Sequence, residues 1–316
     1  AKLRHEVEPV EPQAFARFLL DWHGITKPRR GLDALLDVVE QLQGLALPAS
    51  ILERDILPAR IENYRVGELD EVSAAGEIVW QGCGSLGAND GRVALFLTDS
   101  FAALGKPVET PAVSSEMLSE VSSEVSSENV GPLFDPDQAA QIRELLAERG
   151  AAFFDAIHSS IGGFKNDLLD VLWSMVWAGE VTNDTLRPVR SLLQMSHSEK
   201  SRRHGSSGRG RRSDNRFRSR RTVLLPGSEG RWSLLPVAQA AGNLGYVERQ
   251  TALAMQLVGR YGVLTRECVA RENVSGGFSG LYPILKAAEE AGRLRRGYFV
   301  AGLGAAQFAI AGADER

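Results

Sequence analysis

Apolar positions recur at helical spacing along most of this chain. In three places the helical pattern gives way to strand-like sequence directly after an Ala-Gly pair. In the middle, a helix is predicted over Gln138–Arg149 and a short one ends at Ile161. After Gly162-Gly163-Phe164 a longer helix runs to Ala178, with Leu168, Leu169, Leu172, Met175 and Val176 on one face. Gly179 and the strand-like Glu180-Val181-Thr182 follow. The C-terminal part repeats this order. A helix near Val247–Tyr261 is followed by a short one over Thr265–Glu272, then Gly276-Gly277-Phe278. The next helix, to Ala291, carries Leu281, Leu285 and Ala288 on one face, and after Gly292 strands are predicted within 293–300. The N-terminal part is a looser copy, with helical runs at Gln13–Trp22, Leu32–Leu42, Ala49–Ile56 and Gly67–Ala75. Gly76 and a hairpin, Glu77–Gln81 with Arg92–Thr98, complete it. Glycine takes the left-handed conformation that closes a helix without a Cβ penalty, so each Ala-Gly pair reads as the same stop signal.

Three helices finished by a β-hairpin form the winged-helix pattern, a helix-turn-helix with a two-stranded wing. The predicted fold class is therefore α+β and mainly helical: tandem winged-helix units separated by low-complexity linkers. The expected boundaries are 1–108 for the first unit, 109–134 for a Ser/Glu-rich linker and 135–195 for the second unit. An Arg/Gly/Ser-rich linker is expected over 196–230 and the third unit over 231–316. The first linker holds a Ser-Ser-Glu-Val repeat with too few apolar residues to order itself. The second, from Lys200 to Arg221, has ten basic residues against Asp214 alone. It reads as a solvated tether that can also dock on phosphates.

The chain of 316 residues carries 36 basic and 40 acidic side chains, so without that +9 segment the other 294 residues carry −13. Any polynucleotide contact is therefore expected on a narrow strip. No apolar run approaches the 18 or so residues of a membrane span, and the first 20 residues lack the apolar core of a signal peptide. Cys83 and Cys268, far apart, suit a reducing cytoplasm, with no disulfide framework or four-ligand zinc site.

The sequence contains no Walker-type G-x-x-x-x-G-K-[ST] string. Gly82-Cys83-Gly84-Ser85-Leu86-Gly87 matches G-x-G-x-x-G, but a β-rich run rather than a helix follows, so it reads as a hairpin turn. The five histidines show no metal-ligand spacing. Cys268 reads as a packing residue, and the adjacent Glu289 and Glu290 point apart. No catalytic residue is expected.

Phosphate-binding chemistry is concentrated in the last unit. Arg293, Arg295 and Arg296 cluster at the wing's first strand, followed by Tyr298. Arg266 and Arg271 flank the short helix, and Lys286 lies on the third helix. Strand alternation puts Arg293 and Arg295 on one face and Leu294 and Arg296 on the other. Trp232 is a candidate for stacking on a base, although its place beside Leu234-Leu235-Pro236 favours core packing; Trp80, Trp173 and Trp177 read as core. Lys27, Arg29, Arg30, Arg54 and Arg60 read as partners of nearby acids.

Longer strings carry a family resemblance. In the first unit they are Gln41-Leu42-Gln43-Gly44, Leu52-Glu53-Arg54-Asp55-Ile56-Leu57-Pro58-Ala59-Arg60 and Gly76-Glu77-Ile78-Val79-Trp80. Trp177-Ala178-Gly179-Glu180-Val181-Thr182-Asn183-Asp184 and Arg231-Trp232-Ser233-Leu234-Leu235 follow. The last unit adds Arg260-Tyr261-Gly262-Val263-Leu264-Thr265-Arg266-Glu267, and Arg295-Arg296-Gly297-Tyr298-Phe299-Val300 through Gly302-Leu303-Gly304-Ala305-Ala306-Gln307-Phe308-Ala309. With these strings the chain resembles the C-terminal half of the large helicase-related (Lhr) family over nearly its whole length. The resemblance implies a superfamily 2 helicase that uses ATP and Mg to move 3′ to 5′ on DNA in repair. Its motor domains would lie N-terminal to a region like this one, which binds single-stranded or tailed DNA and helps to assemble a homo-oligomer. Long members of the family end in a small β-barrel resembling DNA glycosylases, and some are credited with uracil excision. This sequence lacks motor motifs and stops at Arg316, about where that barrel would begin, so it reads as a fragment to which no catalytic residue transfers. The alternatives are a glycosylase-like module, for which Asp314 and Glu315 are the nearest acids, and a protein-docking scaffold.

Overall fold

A computed structural model describes residues 8–106, 136–204, 225–236, 245–272, 274–304 and 306–313, and for 196–204 the backbone alone. The first module comprises α1 (Pro12–Trp22), α2 (Gly31–Leu42), β1 (Leu47–Pro48) and α3 (Ala49–Ile51), which continues as a π-helical turn over Leu52–Ile56. It is completed by α4 (Val66–Ala74), β2 (Ile78–Ser85), β3 (Gly91–Leu97) and α5 (Thr98–Leu104). The second has α6 (Pro136–Arg149), β4 (Ala151–Phe153), α7 (Phe154–Ile161), α8 (Lys165–Trp177), β5 (Val181–Asn183), α9 (Arg187–His204) and β6 (Arg231–Leu234). The third has α10 (Tyr246–Tyr261), β7 (Val263–Leu264), α11 (Arg266–Arg271), α12 (Gly277–Glu290), β8 (Leu294–Gly297) and β9 (Gln307–Ile310).

Each module builds the same three-stranded sheet, ordered β1-β3-β2, β4-β6-β5 and β7-β9-β8. In each, the short strand after the first core helix pairs with the last strand of the wing. The helix stops are also identical. Gly76, Gly179 and Gly292 all have φ near +80°. The next residue's N–H returns to the carbonyl five positions back: Glu77 to Val72, Glu180 to Met175, and Arg293 to Ala288. This Schellman closure turns the chain from the third helix into the wing three times over. The tandem winged-helix, α+β expectation is met.

Two boundaries differ from the sequence reading. β6 pairs with both β4 (Ala152 opposite Trp232) and β5 (Thr182 opposite Ser233), so 231–234 completes the second module instead of opening the third. The basic stretch is consequently an insertion between the second module's wing strands, not a link between modules. Of it, 205–221 lies outside the described residues, as does 107–135 with the Ser/Glu-rich repeat. In the third module the second wing strand is β9, the central strand of its sheet, where the sequence reading had placed both wing strands before Val300.

The chain divides into two compact units. One holds 1–79, 94–105 and 239–316, and the other 80–93 and 106–238. In the second unit β2 of the β2–β3 hairpin is tied, through Trp80, to the strand that follows α8. Trp80 Nε1 donates to the Asn183 carbonyl (2.9 Å) and Thr182 Oγ1 to the Trp80 carbonyl (2.7 Å). The hairpin lies so close to α8 that a Cβ on Gly82 would come within 2.0 Å of the Val176 carbonyl oxygen, and one on Gly91 within 2.4 Å of the Trp177 ring. Close packing and the hairpin turn therefore account for the glycine-rich string. Trp173 contacts Trp177 (centroids 5.1 Å apart) and, edge-on, Trp232 (5.7 Å).

In the first unit, modules one and three interlock. Phe15 of α1 is buried in the core of module three with Leu257, Val269, Leu281, Leu285 and Phe308. Val10 N–H donates to the Phe299 carbonyl and Ala301 N–H to the Val10 carbonyl (2.8 and 2.9 Å). Arg260, 3% exposed, donates to the carbonyls of Gln41 and Gln43 and pairs with the buried Glu272, which also accepts from Tyr261 Oη (2.9 Å). Burial and the Glu272 charge push the Tyr261 phenol up from its ordinary value. Nearby, a cleft of about 840 Å³ is lined by Trp22, His23, Lys27, Gln41, Arg60 and Gln256, among others. Burial, then the charges of Arg60 and Arg260, bring His23 down from 6.5 to about 4 against an opposing hydrogen bond to Gln41.

Removing one partner of a buried ion pair leaves the other charge uncompensated. Glu272→Ala is therefore expected to destabilise the first unit by about 3–5 kcal/mol in chemical denaturation. The double change Arg260→Met with Glu272→Ala should cost less than the sum of the two single changes. Because the fold disfavours His23 protonation and the unfolded chain does not, stability is full above about pH 6.5 and falls as pH drops from there toward 4. His23→Gln should flatten that acid-side decline in melting temperature, by roughly 2–4 °C per kcal/mol recovered.

Candidate nucleic-acid interface

In a winged-helix unit the third helix and the wing are the surfaces open to a polynucleotide, and the three modules present different chemistry there. The third helix of module one, α4, places Glu71 outward and Glu68 half-buried. In module two, α8 exposes Asp167 and Asp170 and uses Lys165 in an ion pair with Asp155 (2.8 Å). Burial, and after it the Asp167 charge, push the Asp170 carboxyl up. In module three, α12 exposes Ser279, Gly280, Pro283, Lys286, Ala287 and Glu290, so its outward face is close to neutral. Of the three, only the last offers a phosphate backbone a third helix without net repulsion.

The wing beside α12 sorts the predicted basic residues. β8 pairs with β9 with Leu294 opposite Ile310, Arg295 opposite Ala309 and Arg296 opposite Phe308. Leu294 points into the core, and Arg293 and Arg295 are exposed on the other face. Arg296 turns toward α12, donating Nη1 to Tyr282 Oη (3.1 Å) and pairing Nε with Glu289 (3.2 Å), so it is committed to bracing the wing. Lys286 pairs with Glu290 on the helix surface (3.4 Å), a contact weak enough to yield to a ligand. Arg266 opens α11 and Arg271 ends it, both exposed. Arg266 also borders the wing: a Cβ on Gly304 would lie 3.9 Å from its own Cβ.

Two aromatic expectations resolve differently. Tyr298 is half-buried, and its hydroxyl accepts the Gly302 N–H (2.8 Å), so its ring sits at the base of the wing loop. Trp232 is fully buried in module two, packed edge-on against Trp173, and base stacking by Trp232 is thereby corrected to core packing. Its Leu-Leu-Pro context already favoured burial, and its place on the central strand of a three-stranded sheet enforces it. Of the basic residues of module one, Arg29 pairs with Asp37, Arg30 with Glu62 and Arg54 with Asp55 on the surface, whereas Arg60, expected to pair with an acid, is half-buried and donates to the Ile56 carbonyl (3.0 Å).

Sequence reasoning missed the loop between β8 and β9. Gly302 and Gly304 are exposed with φ of +77° and +63°, and Gln307, fully buried, bonds to the backbone across the loop. The signal was available as a lone amide in an otherwise apolar strand, Gln307-Phe308-Ala309-Ile310, following a glycine-rich turn. Among the described residues no group of histidine, cysteine and carboxylate side chains is placed to hold a metal ion.

Comparison with known proteins fits this arrangement. Two family models, each described as a winged-helix domain of the large helicase-related protein, match residues 10–98 and 246–316. The chain is 37% identical, over its whole length, to a Mycolicibacterium smegmatis protein named Lhr helicase/probable uracil glycosylase. It is 34% identical over 97% of its length to an Escherichia coli protein named Lhr helicase/uracil glycosylase. It spans about a fifth of the length of each of these relatives.

Proposed function

The chain belongs to the large helicase-related family as a C-terminal winged-helix region, and on that basis we propose that it is the DNA-gripping accessory of an ATP-dependent 3′-to-5′ helicase. ATP and Mg would act in motor domains of the same polypeptide, N-terminal to this chain, with single-stranded or tailed DNA as the ligand held here. Work in DNA repair, assembly of a homo-oligomer and a cytoplasmic setting belong to the same proposal. Cys83 and Cys268 are not joined in a disulfide, which suits a reducing compartment. No helix among the described residues is long and apolar enough to cross a membrane.

One observation carries the reading. Arg295 projects from β8 and Arg293 directly precedes that strand, beside a third helix whose exposed face is nearly neutral, whereas the corresponding helices of the other modules expose a net negative charge. Arginine on an outward wing strand meets phosphate oxygens, which position a protein on DNA without reading bases. With net charge −4 on the chain, such contacts must be local.

A second reading draws on the relatives' names, both of which mention uracil glycosylase. Base excision requires a flipped base and an activated water. The acids suggested for it from sequence, Asp314 and Glu315, lie outside the described residues. Abasic sites left in a uracil-containing oligonucleotide by this chain alone would support it, and an untouched oligonucleotide would contradict it. A docking scaffold would bind no DNA even at low salt.

The joint change Arg293→Ala and Arg295→Ala is expected to weaken binding of 3′-tailed DNA by at least about tenfold, two charge-assisted contacts being lost. The log–log salt slope should flatten by about 0.7 for each single-strand phosphate released. The melting temperature should stay within a few degrees of the parent, since both side chains are exposed. Unchanged affinity would mean that the wing is not the contact.

A further inference from the structure

Gln307 is a buried polar side chain in a strand whose neighbours are apolar, which is costly unless all its hydrogen-bonding groups are met. They are met by one short stretch of backbone. Gln307 Oε1 accepts from the N–H groups of Phe299 (2.9 Å) and Val300 (2.8 Å). Its Nε2 donates to the carbonyls of Val300 (2.8 Å) and Leu303 (2.6 Å), with Gly304 at 3.4 Å. Both lone pairs and both N–H groups of the carboxamide are thereby spent on the loop between β8 and β9. The loop is held from two other directions as well. Tyr298 Oη takes the Gly302 N–H, and Val10 bridges to Phe299 and Ala301.

An apolar residue of the same length would fill the space and leave the Phe299 and Val300 N–H groups unpaired, so what the amide secures is loop shape. That shape keeps Gly302 and Gly304 exposed and without side chains, with Gly304 between Arg266 and Glu267: a Cβ on it would lie 3.9 Å from Arg266 Cβ and 4.0 Å from Glu267 Oε1. A backbone bare of side chains lets a phosphodiester approach closely. We propose that Gln307 is a positioning residue that fixes the third wing's loop as a seat for the sugar-phosphate backbone of DNA, an inference that rests on the DNA-gripping reading above. Gln307 touches no DNA itself. It acts by holding Ala301–Gly304 in place at the end of the wing, with Gly304 beside Arg266, on the same β8–β9 hairpin that carries the outward Arg295.

The test uses the whole 316-residue chain and 3′-tailed DNA. Gln307→Met is expected to speed amide exchange at 298–304 and to weaken binding by about tenfold. It should also flatten the salt slope by about 0.7, one phosphate contact, which a purely structural role would leave unchanged. Tyr298→Phe keeps the ring, removes only the acceptor of the Gly302 N–H, and lies outside the core. It is expected to weaken binding by about fivefold, the value of one net hydrogen bond, and it decides the question if Gln307→Met does not fold. Parent-like affinity and slope in a folded variant whose loop amides exchange freely would overturn the inference. If Arg293→Ala with Arg295→Ala also leaves binding unchanged, the DNA-gripping reading itself has failed. If that pair weakens binding and the loop variants do not, only the role of Gln307 is lost.

Discussion

Arg260 can sit at 3% exposure because its guanidinium donates to the carbonyls of Gln41 and Gln43 at the end of α2 and to the carboxylate of Glu272. A guanidinium cannot shed its charge inside a protein, so this arrangement must be complete or the cost of desolvation goes unmet. It joins two segments more than 200 residues apart in sequence. Around it the Trp22 indole donates to the Gly259 carbonyl, the Gln256 amide reaches the Glu40 carbonyl, and Phe15 completes a core made otherwise from residues beyond 250. The third module is thus finished by residues from the start of the chain. Its wing inherits that rigidity, since Val10 is bonded on both sides of Val300.

The three modules share strand order, helix closure and helix sequence, but their surfaces have diverged. Two third helices carry acids on the face that reads DNA in other winged helices, and one of these modules uses its hairpin neighbour as packing material around Trp80. The last has a near-neutral helix beside outward arginines. Fold alone would have assigned the same role to all three; side-chain chemistry separates them. A chain with an acidic balance can still hold DNA if its cations are gathered on one strand and braced there, as Arg296 braces β8 against α12.

Local signals in the sequence marked most helices to within a residue or two, because amphipathic spacing and the Ala-Gly stops are properties of consecutive residues. The split of Arg293 and Arg295 from Arg296 followed from strand alternation alone. What escaped was decided at long range. Strands of two to four residues have too little length for a period to show, so β6 was credited to the wrong module and β9 was placed too early. A wing interrupted by a basic insertion looks like a linker until its two strands are seen to pair. The packing of α1 into the third module's core and the role of Gln307 also depend on partners that no local pattern names.

The central claim is that the third module's wing is where this chain meets DNA. A 3′-tailed duplex with photoreactive bases in its single strand, crosslinked to the chain and mapped by mass spectrometry, tests it most directly. The account predicts crosslinks at Arg266–Arg271 and across 293–304. Crosslinks confined to α4 or α8, or a tail that leaves the third module untouched, would contradict it.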